Sequence, residues 1–228
     1  KSLFVAVRRL CWSDLTDKQD FQVEPARTGM APGKEGSDAG DFNESDDEGE
    51  DGYVAGGYHR VALGEVYNNR YRTVAKLGWG HFSTVWLCED LMVNGYAAMK
   101  VQKSARHYAE AAYDEIKILS RASKTRPANG GHTGVVELFD HFEHIGVHLN
   151  SNGTPGKHVC MVFEVMGPNV LALIKKYNFK GVPMALVRKV AMDVLIGLEH
   201  LHGCGIIHTD LKPENVLVSC PLGVPVDK

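Results

Sequence analysis

No apolar run in this sequence approaches the roughly eighteen residues that a membrane-spanning helix needs, so no membrane partner is expected. The opening Lys1-Ser2-Leu3-Phe4-Val5-Ala6-Val7 has a basic start but only five apolar residues, too few for a secretory signal. Cysteine is sparse: the five present (Cys11, Cys88, Cys160, Cys204, Cys220) are odd in number, scattered, and without a C-x-x-C pair. That argues against a disulfide framework or a thiolate zinc site, and for buried free thiols in a reducing compartment. His132, His141, His144 and His148 lie close together, but their spacing crosses loops and strands, so no metal site is expected of them. Residues 35–51 contain nine acids and no base. The remainder carries 25 basic against 19 acidic residues, a balance suited to an anionic ligand.

At 228 residues and 44% hydrophobic content the chain can bury a substantial core. Residues 1–52 read as a disordered acidic segment, with no motif in the first 23. Beyond them, 70–77, 82–88, 96–101, 135–142 and 158–164 have the β-branched, aromatic or alternating character of strands. Asn94-Gly95 signals a hairpin. Helical spacing predicts helices over 104–122, 170–177 and 184–202, the last with Val187, Val190, Ala191, Val194, Leu195, Leu198 and Leu201 on its apolar stripe. Five strands with one helix, followed mostly by helices, make an α+β chain of two lobes: 53–163, a hinge at 164–167, and 168–228.

Three groups carry chemistry. Gly78 and Gly80 lie in a strand–turn–strand, where backbone amides can approach phosphate oxygens unobstructed. Lys100 follows Ala97-Ala98-Met99 on the third strand and could hold phosphates if an acid positioned it; Glu115 on the next helix is the partner in reach, since Asp114 is turned about 100° away. The run Ile207-His208-Thr209-Asp210-Leu211-Lys212-Pro213-Glu214-Asn215-Val216-Leu217 sets Asp210, Lys212 and Asn215 at fixed offsets. A carboxylate for an incoming hydroxyl, a cation for a moving phosphoryl group and an amide oxygen for magnesium are what phosphoryl transfer from ATP requires.

These motifs resemble the eukaryotic protein kinases and, within them, the SR-protein kinases. Gly56-Gly57-Tyr58-His59, the wording from Leu77 to Cys88, Lys103-Ser104-Ala105 with His107-Tyr108, Asp114-Glu115-Ile116-Lys117, and His158 to Val165 carry the likeness over about residues 52–220. The resemblance implies a kinase-like fold with a complete five-stranded N-lobe and only the first part of the helical C-lobe. It implies catalytic Asp210, Lys212 and Asn215, with Asn215 also a magnesium ligand. Leu77, Gly78, Gly80, Val85, Ala98, Lys100, Glu115, Glu164, Met166 and Leu217 would hold ATP, with Phe163 as gatekeeper. The implied substrates are serines of arginine/serine-rich splicing factors, in cytoplasm and nucleus, with the kinase a monomer that contacts no nucleic acid directly. Thr209 stands where most kinases have arginine, which implies activity without loop phosphorylation. His208-Thr209-Asp210 is shared with the CDC2-like dual-specificity kinases, the alternative assignment. No Asp-Phe-Gly or Ala-Pro-Glu follows Asn215. The chain therefore reads as an N-terminal fragment, inactive alone, with a non-catalytic interaction module as the competing reading.

Overall fold

The computed structural model describes residues 3–11, 49–125, 132–149 and 153–219. The acidic run up to Glu48 and residues 220–228 lie outside the described residues.

Six strands form an antiparallel sheet: β2 (Val66–Tyr67), β3 (Tyr71–Gly80), β4 (Ser83–Asp90), β5 (Gly95–Gln102), β6 (Leu138–Leu149) and β7 (Pro155–Phe163), in the order β2-β3-β4-β5-β7-β6. Of these six, two-residue β2 is the one that the alternation pattern does not announce. The β4–β5 hairpin closes at Asn94, whose φ of 50° is the left-handed conformation that asparagine tolerates.

Helix α1 (Arg106–Lys124) buries Ala112, Glu115, Ile116, Leu119 and Ala122 on one stripe. These pack on the sheet face that presents Ala98, Val159, Met161 and Phe163. The opposite face buries Tyr67, Tyr71, Trp86, Cys88, Met99 and Cys160. Strand alternation thus puts Lys100 on the same face as Ala98, toward α1. Burial holds the Cys88 thiol up at about 12, inert as expected.

The second lobe contains β8 (Met166–Asn169), α2 (Val170–Lys176), α3 (Met184–Gly203), a 3-10 turn at Pro213–Asn215 and β9 (Val216–Ser219). Asn169 Oδ1 caps α2 by accepting from Ala172 N at 2.9 Å. Because Met166 already pairs with Ser219, only Glu164 and Val165 are left between strands, a shorter hinge than 164–167.

Two expectations are corrected here. Residues 5–11, read as part of a disordered segment, form strand β1 (Val5–Cys11), parallel to β9 in a sheet ordered β1-β9-β8. Val5 pairs with Val216, Ala6 with Leu217 and Val7 with Val218. A parallel strand buried on both faces reads as a continuous apolar run, without alternation. Val5, Val7 and Leu10 pack with Leu173, Val216 and Val218, while Leu3 and Ala6 join the core under α1. The buried residues of α3 are Asp193, Gly197 and Leu201; Val187, Ala191 and Leu195 of the expected stripe are exposed. Gly197 lets α3 close on its neighbours, since a Cβ there would lie 2.7 Å from Gly134 O and 3.0 Å from Val5 Cγ1. Among the described residues no helix is long and apolar enough to cross a membrane.

Candidate active site

The glycine-rich hairpin is tighter than its sequence suggests. Strands β3 and β4 stay paired through Gly80 and Ser83, so the turn is His81-Phe82 alone. Gly78 and Gly80 have ordinary φ, and a Cβ on either would meet nothing within 4 Å. Neither backbone strain nor packing requires glycine there; open space above the strand is what the two residues provide. Leu77 at 43% exposure flanks that space, and Val85, paired with Gly78, is half-buried below it. Tyr58 Oη donates to Gly80 O at 2.8 Å and ties the preceding segment to the hairpin.

Lys100 pairs in register with Val85 on β4 and Met161 on β7. Its Nζ donates to both carboxylate oxygens of Glu115, at 2.8 and 2.9 Å. Both residues are buried, 6% and 5% exposed, so the pair is desolvated and geometrically fixed. Ala98, Val85, Met166 and Leu217 belong to the apolar cluster beside it.

In the catalytic loop, Asn215 Nδ2 donates to Asp210 O at 2.9 Å and to Asp210 Oδ2 at 3.0 Å. Both acceptors fix the amide orientation and leave Asn215 Oδ1 turned away from Asp210, the acceptor a magnesium ion needs. Lys212 Nζ stands 3.2 Å from Asp210 Oδ2. Its hydrogen bond to the carboxylate, helped by Asn215, holds the exposed Asp210 carboxyl below its usual range. Asp210 is therefore ionised and able to accept or orient a hydroxyl proton. Thr209 has φ 58°, a strained conformation for a β-branched residue.

Leu3 and Phe4 touch both groups. Asp210 N donates to His208 Nδ1 at 3.3 Å, so the ring proton is on Nε2, which donates to Leu3 O at 2.7 Å. Lys100 Nζ lies 5.9 Å from the centre of the Phe4 ring. The same dipeptide thus stands against the Lys100–Glu115 pair and the catalytic loop. The hinge is also engaged: Arg8 makes a bidentate pair with Glu164, whose Oε1 accepts from Glu137 N at 2.7 Å. This guanidinium partner commits the Glu164 carboxylate to the fold. Its backbone N–H also donates within the fold, to Glu137 O at 3.1 Å, so the role expected of a hinge falls to the Glu164 carbonyl.

Sequence reasoning missed Arg8, Arg9 and Asp193, and named Tyr58 only as part of the family likeness. The available signal was an acid at a buried helical offset, Asp193 four residues before Gly197 and eight before Leu201. The partner arginines lie more than 180 residues away.

Comparison with known proteins agrees with this geometry. The protein kinase domain family matches residues 71–223, and the chain belongs to that family. Within it, the chain belongs with the SR-protein kinases. It is 53% identical over 184 residues to the serine/threonine-protein kinase SRPK of Physarum polycephalum, covering 80% of this chain and 41% of that protein. It is 48% identical over 178 residues to SRSF protein kinase 3 of Homo sapiens, 76% of this chain and 30% of that protein. The kinase SKY1 of Saccharomyces cerevisiae is 49% identical over 171 residues, 73% of this chain and 22% of that protein. The crystal structure of the PF14_0431 kinase domain superposes with TM-score 0.61 at 27% identity, over 72% of this chain and 44% of that one. The chain spans less than half the length of each of these relatives.

Proposed function

We propose that this chain supplies the nucleotide-binding lobe and catalytic loop of a serine/threonine kinase that phosphorylates serines in arginine/serine-rich proteins. The buried, bidentate Lys100–Glu115 pair is the observation that carries the reading, because a desolvated lysine held by one acid is positioned for phosphates. Leu77, Val85, Ala98, Met166 and Leu217 would enclose the adenine, and Gly78 and Gly80 would admit the phosphates. Asp210 would orient the serine hydroxyl and take its proton, and Lys212 would offset charge on the moving phosphoryl group. Asn215 Oδ1 would help hold magnesium, which when bound neutralises phosphate charge. Substrate class rests on the likeness to the SRPK and SRSF kinases, and action in cytoplasm and nucleus is carried by the family resemblance of the motifs alone.

The test has two parts. Calorimetry of this chain with MgATP, against Lys100→Met, reads nucleotide binding. Phosphorylation of an Arg-Ser repeat peptide against a Ser-Pro-rich peptide by the full-length protein reads substrate class. Saturable binding lost in the variant, with preference for the Arg-Ser peptide, is expected. Preference for Ser-Pro would move the assignment to the CDC2-like kinases.

A second reading, a non-catalytic interaction module, is favoured by Leu3 and Phe4 standing against His208 and Lys100. Absence of nucleotide binding, restored by Phe4→Ala, would support it for this chain in isolation.

A further inference from the structure

Away from the cleft, one end of the six-stranded sheet gathers imidazoles. His144 and His148 lie four residues apart on β6, so strand alternation puts both on one face with Gly146 between them, while Ile145 and Val147 are exposed on the other. Gly146 leaves the space that His158 of β7 fills: a Cβ there would lie 2.6 Å from His158 Nε2. The buried His59 ring stands 4.4 Å from the His144 ring and 4.9 Å from the His158 ring, centre to centre. Glu65 adds a carboxylate, accepting from Tyr67 Oη at 2.7 Å, and Tyr67 Oη lies 3.0 Å from His59 Nε2. One ligand-capable atom from each of His59, Glu65 and His144 falls within 4.8 Å of the other two.

One observation separates this group from histidines that merely pack: His148 Nε2 is buried without a hydrogen-bond partner, which buried polar atoms rarely are.

We propose that His59, Glu65 and His144 form a binding site for a first-row divalent transition ion, with zinc the best fit to two imidazoles and a carboxylate. Magnesium, which prefers six oxygens, does not suit this donor set. Zinc bonds of about 2.0–2.1 Å bring tetrahedral donors to roughly 3.3 Å apart. The half-exposed Glu65 and His144 side chains close that distance by turning toward the buried His59. His148 lies one strand repeat beyond Gly146, its buried Nε2 without a hydrogen-bond partner. Of the four unremarkable histidines in sequence, the fold therefore separates two: His141 lies on the other face of β6, and His132 sits 3.8 Å from Asp193. An ion here would staple the segment carrying His59 and Glu65 to β6. Tyr58, which grips Gly80, is the adjacent residue, so occupancy would stiffen the glycine-rich hairpin.

The test uses the chain stripped by chelator and titrated with Co²⁺, then with Zn²⁺. The expected result is one ion per chain, a visible Co²⁺ d–d band without thiolate charge transfer, and a raised thermal midpoint with Zn²⁺. His144→Ala and Glu65→Gln should each weaken binding by more than the roughly 10–100-fold that loss of an outer hydrogen-bond partner of a metal site costs. Circular dichroism of the metal-free variants checks that they fold, and Glu65→Gln, which keeps an oxygen for the Tyr67 hydroxyl, should melt with the wild type. Absence of saturable binding, a thiolate charge-transfer band, or unchanged affinity in both variants would overturn the proposal.

Discussion

Asp193 gives the sharpest test of the N-terminal strand. Its carboxylate is fully buried, 0% exposed, on a helix that otherwise packs apolar residues. Oδ2 accepts from the backbone amides of Arg8 and Arg9, each at 2.7 Å, and Oδ1 accepts from Arg9 Nη1 at 2.6 Å. Asp193→Ala strips two backbone N–H groups of their acceptor, at about 1–3 kcal/mol each, or about 2–6 kcal/mol together. The Arg9 side chain is 42% exposed and can return to water, so the ion pair itself adds only about 0–1 kcal/mol. Asp193→Asn keeps one oxygen for both amides and loses the acceptor that faces the Arg9 guanidinium and His132, so it should cost about 1 kcal/mol. Urea unfolding measures both variants, and hydrogen exchange at the amides of residues 8 and 9 reports whether β1 opens locally. Equal costs for the two variants, or both below about 1 kcal/mol with unchanged exchange, would refute the view that Asp193 holds β1 by backbone hydrogen bonds.

Lys100→Met should abolish nucleotide binding and destabilise the fold by about 3–5 kcal/mol, because Glu115 is left as an unpaired buried charge; Lys100→Met with Glu115→Leu should recover stability but not binding in a denaturant and calorimetry series. Gly78→Ala should leave stability equal or raise it by about 0.5–1 kcal/mol while lowering MgATP affinity, since a Cβ there meets no protein atom; a loss of stability would show an unrecognised packing role. Thr209→Gly should relieve the left-handed strain and stabilise the fold by about 0.5–1 kcal/mol in thermal unfolding. The Asp210 carboxyl is held below its usual range, so it stays ionised as pH falls through mildly acidic values. The rate–pH profile of the full-length protein should show no acidic limb there, and such a limb would mean that Asp210 does not titrate as its partners dictate. Phosphatase treatment of the full-length protein should leave its rate nearly unchanged, in keeping with threonine at position 209.

Much of the fold was legible because its signals are local. Alternation, the Asn94-Gly95 turn and helical spacing announce β3, β4, β5, β7 and all three helices to within a few residues of their ends, while β6 runs seven residues past the expected end at 142. The partners Lys100 and Glu115 follow from strand parity and helix periodicity, which put both on the interface of β5 and α1. The α3 stripe held only in part, with Val190, Val194 and Leu201 packed and Val187, Ala191 and Leu195 exposed. A helix with apolar residues all round does not say which side is covered, and the buried side proved to be the one bearing an acid and a glycine.

Sequence alone determined the chemistry on offer: two glycines, a lysine and its acid, and an Asp-Lys-Asn loop whose offsets survive folding because few residues separate them. Tertiary structure decided what depends on distant segments meeting. Only the fold pairs Val5 with Val216, sets Arg8 on Glu164 and Arg9 on Asp193, and brings Leu3 to His208. Only the fold assembles His59, Glu65 and His144 at one end of a sheet. Parallel pairing and side-chain clusters carry no local period, so they become visible only when the chain has closed on itself.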